Sequence, residues 1–311
     1  MRAFIFPGQG SQAIGMGQAL AAASVSAREV FQEVDDALGQ HLFQLMVEGP
    51  ADELMLTENA QPAIMANAIA TLRVLEREGG IRLADKAEFV AGHSLGEYTA
   101  LCAAEALGLA DTAKLLRVRG AAMQAAVPVG QGAMAALLGL DFAAAKQIAA
   151  DAAENEVCEA ANDNAPGQVV VSGSKAAVER AVELAKVRGG KRAMLLPVSA
   201  PFHCSLMEPA ARAMEKALAG ADLRAPLVPV YANVTAAPVA DPAAIRTLLV
   251  EQVTGTVRWR ESIEAMFAAG VTDFVEFGGK VLGGMVKRIA PDATITSVVS
   301  MADIEALAKT L

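Results

Sequence analysis

The serine at position 94 lies between two glycines in Gly92-His93-Ser94-Leu95-Gly96, a spacing that suits nucleophilic attack on an acyl group. Glu88-Phe89-Val90-Ala91 ahead of it reads as a short buried strand. Tyr98 to Leu107 behind it reads as a helix rich in Ala, Leu and Glu. The serine therefore falls at the apex of a strand-to-helix turn, the G-x-S-x-G elbow in which glycines permit a strained backbone that lifts the hydroxyl clear. The N–H groups that open the following helix face an anion forming on the attacked carbonyl. A serine alone is a weak nucleophile, so a base must come from elsewhere in the chain.

Only His41, His93 and His203 compete for that role. His93 is inside the elbow, where its side chain is expected to point away from its neighbour Ser94. His41 precedes Leu42-Phe43 in a helical, surface-like segment and reads as a solvated side chain. His203 lies in Val198-Ser199-Ala200-Pro201-Phe202-His203-Cys204-Ser205, a loop leaving an apolar strand, and follows the serine in chain order as hydrolase-type sites require. No acidic residue stands out as a third member. A backbone or amide carbonyl serves as well, since the second ring nitrogen needs only an acceptor. Cys204 beside His203 reads as packing, because adjacent loop side chains usually diverge.

Two further features bear on substrate. Pro7-Gly8-Gln9-Gly10-Ser11-Gln12 follows the strand Ala3–Phe6 and loosely fits the dinucleotide fingerprint G-x-G-x-x-G/A. That fingerprint wants an acid closing a second strand. Glu33, Asp35 and Asp36 instead lie in a segment whose Val30, Val34 and Leu38 repeat at helical spacing, so a loop bringing bare amides to an acyl oxyanion fits better. Arg119 shares an apolar stripe with Leu115, Leu116, Ala122 and Met123, so its guanidinium faces inward and needs a partner. A protein carboxylate and a ligand carboxylate satisfy it equally well on pattern alone, the fork geometry suiting either.

The elements that must position these residues alternate between strand and helix. Ala3–Phe6, Phe89–Ala91, Leu227–Tyr231, Asp273–Phe277 and Thr294–Val299 read as strands, which favours a mostly parallel sheet with helices on both faces. Between them, Ala133–Gly139, Val157–Asn162, Gln168–Ser172 and Ala193–Val198 read as strands. Phe142–Glu154 and Lys175–Arg188 read as helices, and Asn162–Gly167 as a turn. That β-α-β-β-α-β order is the ferredoxin-like motif. The expected class is α/β: an α/β-hydrolase-like large domain over 1–127 and 199–311, with an inserted ferredoxin-like small domain over 128–198 and the acyl group in the cleft between them.

Composition sets limits. The 311 residues are 54% hydrophobic, much of it alanine, with no apolar run of spanning length, so no membrane is expected. The N-terminus Met1–Gly8 is too short before its break for a signal peptide. Cys102, Cys158 and Cys204 show no C-x-x-C spacing, which favours a reduced cytoplasm and no metal site. A net charge of −9 argues against nucleic acid.

Taken together, these stretches resemble the malonyl-CoA:acyl-carrier-protein transacylases of fatty-acid synthesis. The match runs through Phe6–Gln12, Gly92–Tyr98, Arg119-Gly120, Gly132–Ala136, Asn164–Val170, His203–Met207 and Glu251–Val253 in the family's order. The resemblance implies that Ser94 is acylated with His203 as its base, and that Gln252 orients the imidazole through its main-chain carbonyl. It also implies an oxyanion hole from the amides of Gln9 and Leu95, a malonyl carboxylate on Arg119, and Asn162 near the pocket. The stretch Glu276-Phe277-Gly278-Gly279-Lys280 departs from it by lacking a proline between the glycines.

The implied substrates are malonyl-CoA and acyl carrier protein, with no metal or redox cofactor. Such carriers are acidic, as this chain is, so docking needs a local basic patch. Lys186, Arg188, Lys191 and Arg192, expected beside the cleft, and Lys287 and Arg288 are the candidates. A serine hydrolase of carboxylated esters or thioesters, and a non-catalytic module on the same fold, are the rival readings.

Overall fold

Strand β1 (Arg2–Phe6) is an unbroken apolar run because both of its faces are covered, as parallel strands between helical layers require. Its alternating side chains feed two cores. Phe4 and Phe6 enter the larger one with Phe277, while Ala3 and Ile5 pack opposite with Trp259, Ile263 and Phe274. Around β1, in a computed structural model that describes all 311 residues, the chain builds a six-stranded sheet. Its other members are β2 (Phe89–Gly92), β7 (Val230–Ala232), β8 (Ala237–Val239), β9 (Asp273–Phe277) and β10 (Thr294–Val298). The order is β10-β9-β1-β2-β7-β8, with every pair parallel except the hairpin β7–β8. β1 and β2 are neighbours, so the loops leaving their carboxyl ends meet. Those loops carry Gln9 and Ser94.

A second sheet comprises β3 (Gly132–Leu138), β4 (Cys158–Ala165), β5 (Gln168–Ser174) and β6 (Arg192–Leu195). Its order β4-β5-β3-β6 is antiparallel throughout. The helices Phe142–Ala153 and Lys175–Val187 bury Ile148, Ala149, Val178 and Ala181 against it in a separate core. Strand and helix order follow the β-α-β-β-α-β expectation.

Local differences from the sequence reading have tertiary causes. Asn162–Ala165 belongs to β4 and not to a turn, the reversal being confined to Pro166-Gly167. Asn162 is drawn into the strand because it also pairs with Val257, with Asp163 N donating to Val257 O at 2.9 Å and Val257 N to Ala161 O at 2.9 Å. An ion pair from Arg260 to the buried Asp163 at 2.7 Å adds to this seam between the sheets. β6 stops at Leu195, leaving Leu196-Pro197-Val198 as cavity wall. β7 spans three residues and starts at Val230, not Leu227. The loop lacking the family's proline is held by Glu276, whose carboxylate accepts from the N–H groups of Val281, Leu282 and Gly283. No helix is long and apolar enough to cross a membrane.

Candidate active site

Ser94 adopts φ 54°, ψ −112°, a conformation rare for a side chain-bearing residue and costing on the order of 1–3 kcal/mol. The elbow tolerates it because its glycines let segments close on one another. A Cβ on Gly96 would stand 2.3 Å from Phe6 O, and one on Gly8 would stand 2.6 Å from His93 O. The Pro7–Gln9 loop is thereby pressed against the turn.

The hydroxyl of Ser94 lies 2.7 Å from Nε2 of His203. Nδ1 of His203 is 2.9 Å from the main-chain carbonyl of Gln252, an acceptor only, so Nδ1 carries the proton and Nε2 accepts from the serine. Burial, and then the charge of Arg119, drive the His203 pKa down to about 3. The imidazole is thus neutral and ready to accept a proton at any ordinary pH.

Arg119 comes from the helix Leu109–Ala126, and with 1% of its surface exposed it has no carboxylate within ion-pair distance. Its guanidinium donates to Gln61 Oε1 at 2.8 Å, to Gln252 Oε1 at 2.9 Å and to Ser94 Oγ at 3.1 Å, all neutral acceptors. Nε has no partner, and the charge lies 5.7 Å from the Tyr98 ring centre. The nearest carboxyl, Glu97, acts on it only through space, with Gln252 between them, so the guanidinium has no anion in direct contact.

Ser94 and His203 open onto a cavity of about 320 Å³ between the two sheets. Gln9, Met134, Asn162, Leu196, Phe202 and Met285 are among its walls, so Gln9 and Asn162 are both on the pocket. The Gln9 amide donates to nothing in the protein, and Leu95 opens the elbow helix ahead of Gly96 and Glu97, whose amides are taken by His93 O and Ser94 O. Arg119 lies behind the lining, against Ser94.

The other reactive groups are occupied. His93 donates from Nε2 to Asn164 Oδ1 at 2.7 Å and meets Trp259 edge-on, away from the serine hydroxyl. His41 is exposed. Burial pushes the Cys204 thiol up to about 11, and its Sγ is turned to Pro201 O at 3.1 Å, so it is no thiolate nucleophile.

The basic cluster 186–192 is not beside the cavity. Arg192 pairs with Leu138 at one end of β6, while Leu196 and Met134 line the cavity at the other, about 13 Å along the strand. An extended strand separates what the sequence keeps close. Lys186 and Arg188 are also paired with Glu183 and Asp151, whereas Lys191 and Arg192 are exposed. Lys287 and Arg288 end the helix Gly283–Ile289, whose Met285 is on the cavity wall.

Three side chains around the site escaped the sequence reading: Gln61, Glu97 and Asn233, all buried. Glu97 lay in plain view within the elbow motif. Its partners Asn233 and Gln252 are more than a hundred residues away, and nothing in its local pattern points to them.

A strained serine elbow with a neutral, carbonyl-anchored imidazole and one amide from each of two adjoining loops defines a serine-dependent acyl-transfer site on an α/β scaffold. Residues 3–279 match the family model for the acyl transferase domain. The chain is 48% identical to the malonyl CoA-acyl carrier protein transacylase of Bacillus subtilis over 92% of its length and 90% of that protein's. It superposes on the acyl-carrier-protein S-malonyltransferase of Bartonella henselae with a TM-score of 0.97 at 55% identity, covering 99% and 98% of the two chains. A malonyl-transacylase solved with a type II polyketide acyl carrier protein gives 0.96 at 39% identity, covering 100% and 99%. The chain belongs to the malonyl-CoA:acyl-carrier-protein transacylase family.

Proposed function

We propose that this enzyme moves the malonyl group of malonyl-CoA to the phosphopantetheine thiol of acyl carrier protein, by two successive transfers through Ser94. The observation that carries the reading is the buried Arg119, in direct contact with no carboxylate, resting on the hydroxyl that bonds to His203. His203 takes the Ser94 proton as the oxygen attacks the thioester carbonyl. The amides of Gln9 and Leu95 receive the oxyanion. The intermediate collapses, His203 returns the proton to the departing CoA sulfur, and a malonyl ester remains on Ser94. The carrier's thiol then gives its proton to His203 as its sulfur attacks the ester, and collapse breaks the bond to Ser94 Oγ, which takes the proton back from His203 while the malonyl thioester leaves. Throughout, the malonyl carboxylate competes with the Gln61 and Gln252 oxygens for Arg119 and supplies a direct anionic contact. Asn162 bounds the acyl pocket. The chemistry proceeds on side chains and amides, with CoA and phosphopantetheine as substrates and no resident cofactor. Three free, buried cysteines fit a reducing compartment, and the cytoplasm is the proposed location.

The test is the intact mass of the protein after malonyl-CoA, then after the carrier. Ser94 gains a malonyl group that persists until the carrier removes it, Ser94→Ala gains none, and His203→Ala acylates roughly 10²–10⁴-fold more slowly. Rapid loss of the label to water without a carrier makes the protein a hydrolase. Label on another residue overturns the mechanism.

A further inference from the structure

We propose that Asn233 and Glu97 are positioning residues that clamp the nucleophile's turn and the anchor of its base into one unit, an inference that rests on Ser94 being the nucleophile. Asn233 follows β7, the neighbour of β2, and reaches beneath the elbow. Its Oδ1 accepts from Ser94 N at 2.8 Å and its Nδ2 donates to Gly92 O at 2.7 Å, so one carboxamide bridges the two sides of His93. Those bonds oppose relaxation of the positive φ at Ser94.

Glu97 joins this bridge to the base. One of its oxygens, Oε2, accepts from Asn233 N at 3.0 Å and from Gln252 Nε2 at 2.7 Å. The same Gln252 Nε2 is 3.0 Å from Ser94 O. The main-chain carbonyl of Gln252 holds Nδ1 of His203. The residue after β7, the elbow helix Leu95–Ala103 and the helix Pro242–Thr254 therefore converge on one carboxylate oxygen.

Polarity follows from that convergence. A carboxylate only accepts, so it turns the Gln252 amide inward and its Oε1 outward to Arg119. The reverse orientation would set an NH₂ against the guanidinium. Asn233, Glu97 and Gln252 are all fully enclosed, and burial pushes the Glu97 carboxyl up to about 7. The arrangement asks of Glu97 an acceptor at one point more than a full charge.

The experiment reads the reactivity of Ser94 independently of malonyl recognition. A fluorophosphonate forms a P–O bond to the serine and expels fluoride, and its labelling rate is measured beside thermal melting and the kcat and KM for malonyl-CoA. Asn233→Asp keeps an acceptor for Ser94 N but puts an oxygen against Gly92 O. Labelling and kcat then fall at least tenfold in folded protein, with KM unchanged. Glu97→Gln, able to accept from both donors, stays within about threefold of wild type, whereas Glu97→Ala falls at least tenfold. Wild-type labelling in folded Asn233→Asp, or equal rates in Glu97→Gln and Glu97→Ala, overturns the clamp. If Asn233→Asp does not fold, the Glu97 pair decides. Failure of wild-type Ser94 to label removes the nucleophile and the clamp with it. Labelling that shows the expected pattern in a protein taking up no malonyl group supports the clamp and overturns only the transferase reading.

Discussion

Arg119 Nη2 donates to the Oγ of Ser94 across 3.1 Å, so a buried cation rests directly on the nucleophile. The consequence is a substrate preference built into the resting site. An acyl group carrying a carboxylate gives the guanidinium a direct anionic contact, and one without it leaves the cation to neutral acceptors and the more distant Glu97. Arg119→Ala is expected to weaken malonyl transfer by at least ten- to a hundredfold, since hydrogen bonds to charged groups contribute about 1.5–3 kcal/mol. Acetyl transfer should rise relative to malonyl, and Arg119→Lys should recover little because an ammonium cannot form the planar pair of contacts. Rates with both thioesters in a folded variant check this. An unaltered malonyl-to-acetyl ratio makes Arg119 scaffold.

The same cation bears on the base. Burial lowers the His203 pKa first and Arg119 second, to about 3. A depressed pKa means the imidazole remains unprotonated as the pH falls through the usual histidine range near 6.5. An unperturbed histidine is only about 3% neutral at pH 5, a loss of roughly thirtyfold. The acylation rate, kcat/KM, should instead be nearly flat from pH 7 to pH 5. In Arg119→Ala the acid limb should move upward toward 6.5, because one of the two depressing causes is gone. Acetyl-CoA is the substrate for both profiles, so that carboxylate binding does not enter. An acid limb near 6.5 in wild type contradicts the electrostatics of the site.

Ser94, His203 and Arg119 were legible because each is marked by local pattern: a glycine-flanked turn, a scarce residue in a loop after a strand, a charge on an apolar stripe. Gln61, Glu97 and Asn233 were not, because a buried amide or carboxylate acquires its role from partners on other elements. Asn162–Gly167 shows the same limit for secondary structure. Its composition spells a turn, yet pairing with β5 and with Val257 extends β4 to Ala165. The two-sheet architecture survived such errors because element order and periodicity fix it, whereas strand ends depend on contacts the sequence does not display.

Gly120 ties the arginine to its distance from Gln61. A Cβ there would stand 2.5 Å from Glu58 Cα and 2.6 Å from Thr57 O, backbone atoms of the helix Thr57–Arg77 that cannot rotate aside. Gly120→Ala therefore pushes two helices apart next to the Arg119–Gln61 bond of 2.8 Å. Overpacking of this kind costs about 1–3 kcal/mol. The melting temperature should drop by several degrees and the malonyl preference should fall with it. An unchanged melting curve would show that the helices absorb the methyl group without moving.

The last expectation concerns where the acidic carrier approaches. Electrostatic guidance acts over roughly 8–10 Å at moderate ionic strength, so a useful cation must lie near the cavity mouth. Arg192 is about 13 Å along β6 from the wall formed by Leu196, and two of its basic neighbours, Lys186 and Arg188, already hold carboxylates. Arg288 is three residues from Met285 on the helix Gly283–Ile289, so the two share a face, and Met285 is on the cavity wall. It is exposed and holds no carboxylate, whereas neighbouring Lys287 donates to the carbonyl of Ala293 at 2.6 Å. Arg288→Glu is thus expected to raise the carrier's KM at least about fivefold at low salt, the equivalent of roughly 1 kcal/mol from an exposed charge. Arg192→Glu should stay within about twofold. The difference should close in high salt, where both charges are screened. Acylation by malonyl-CoA is followed separately by intact mass, so that any effect on the CoA phosphates is not mistaken for carrier docking. A larger effect from Arg192→Glu would place the carrier on the far edge of the second sheet.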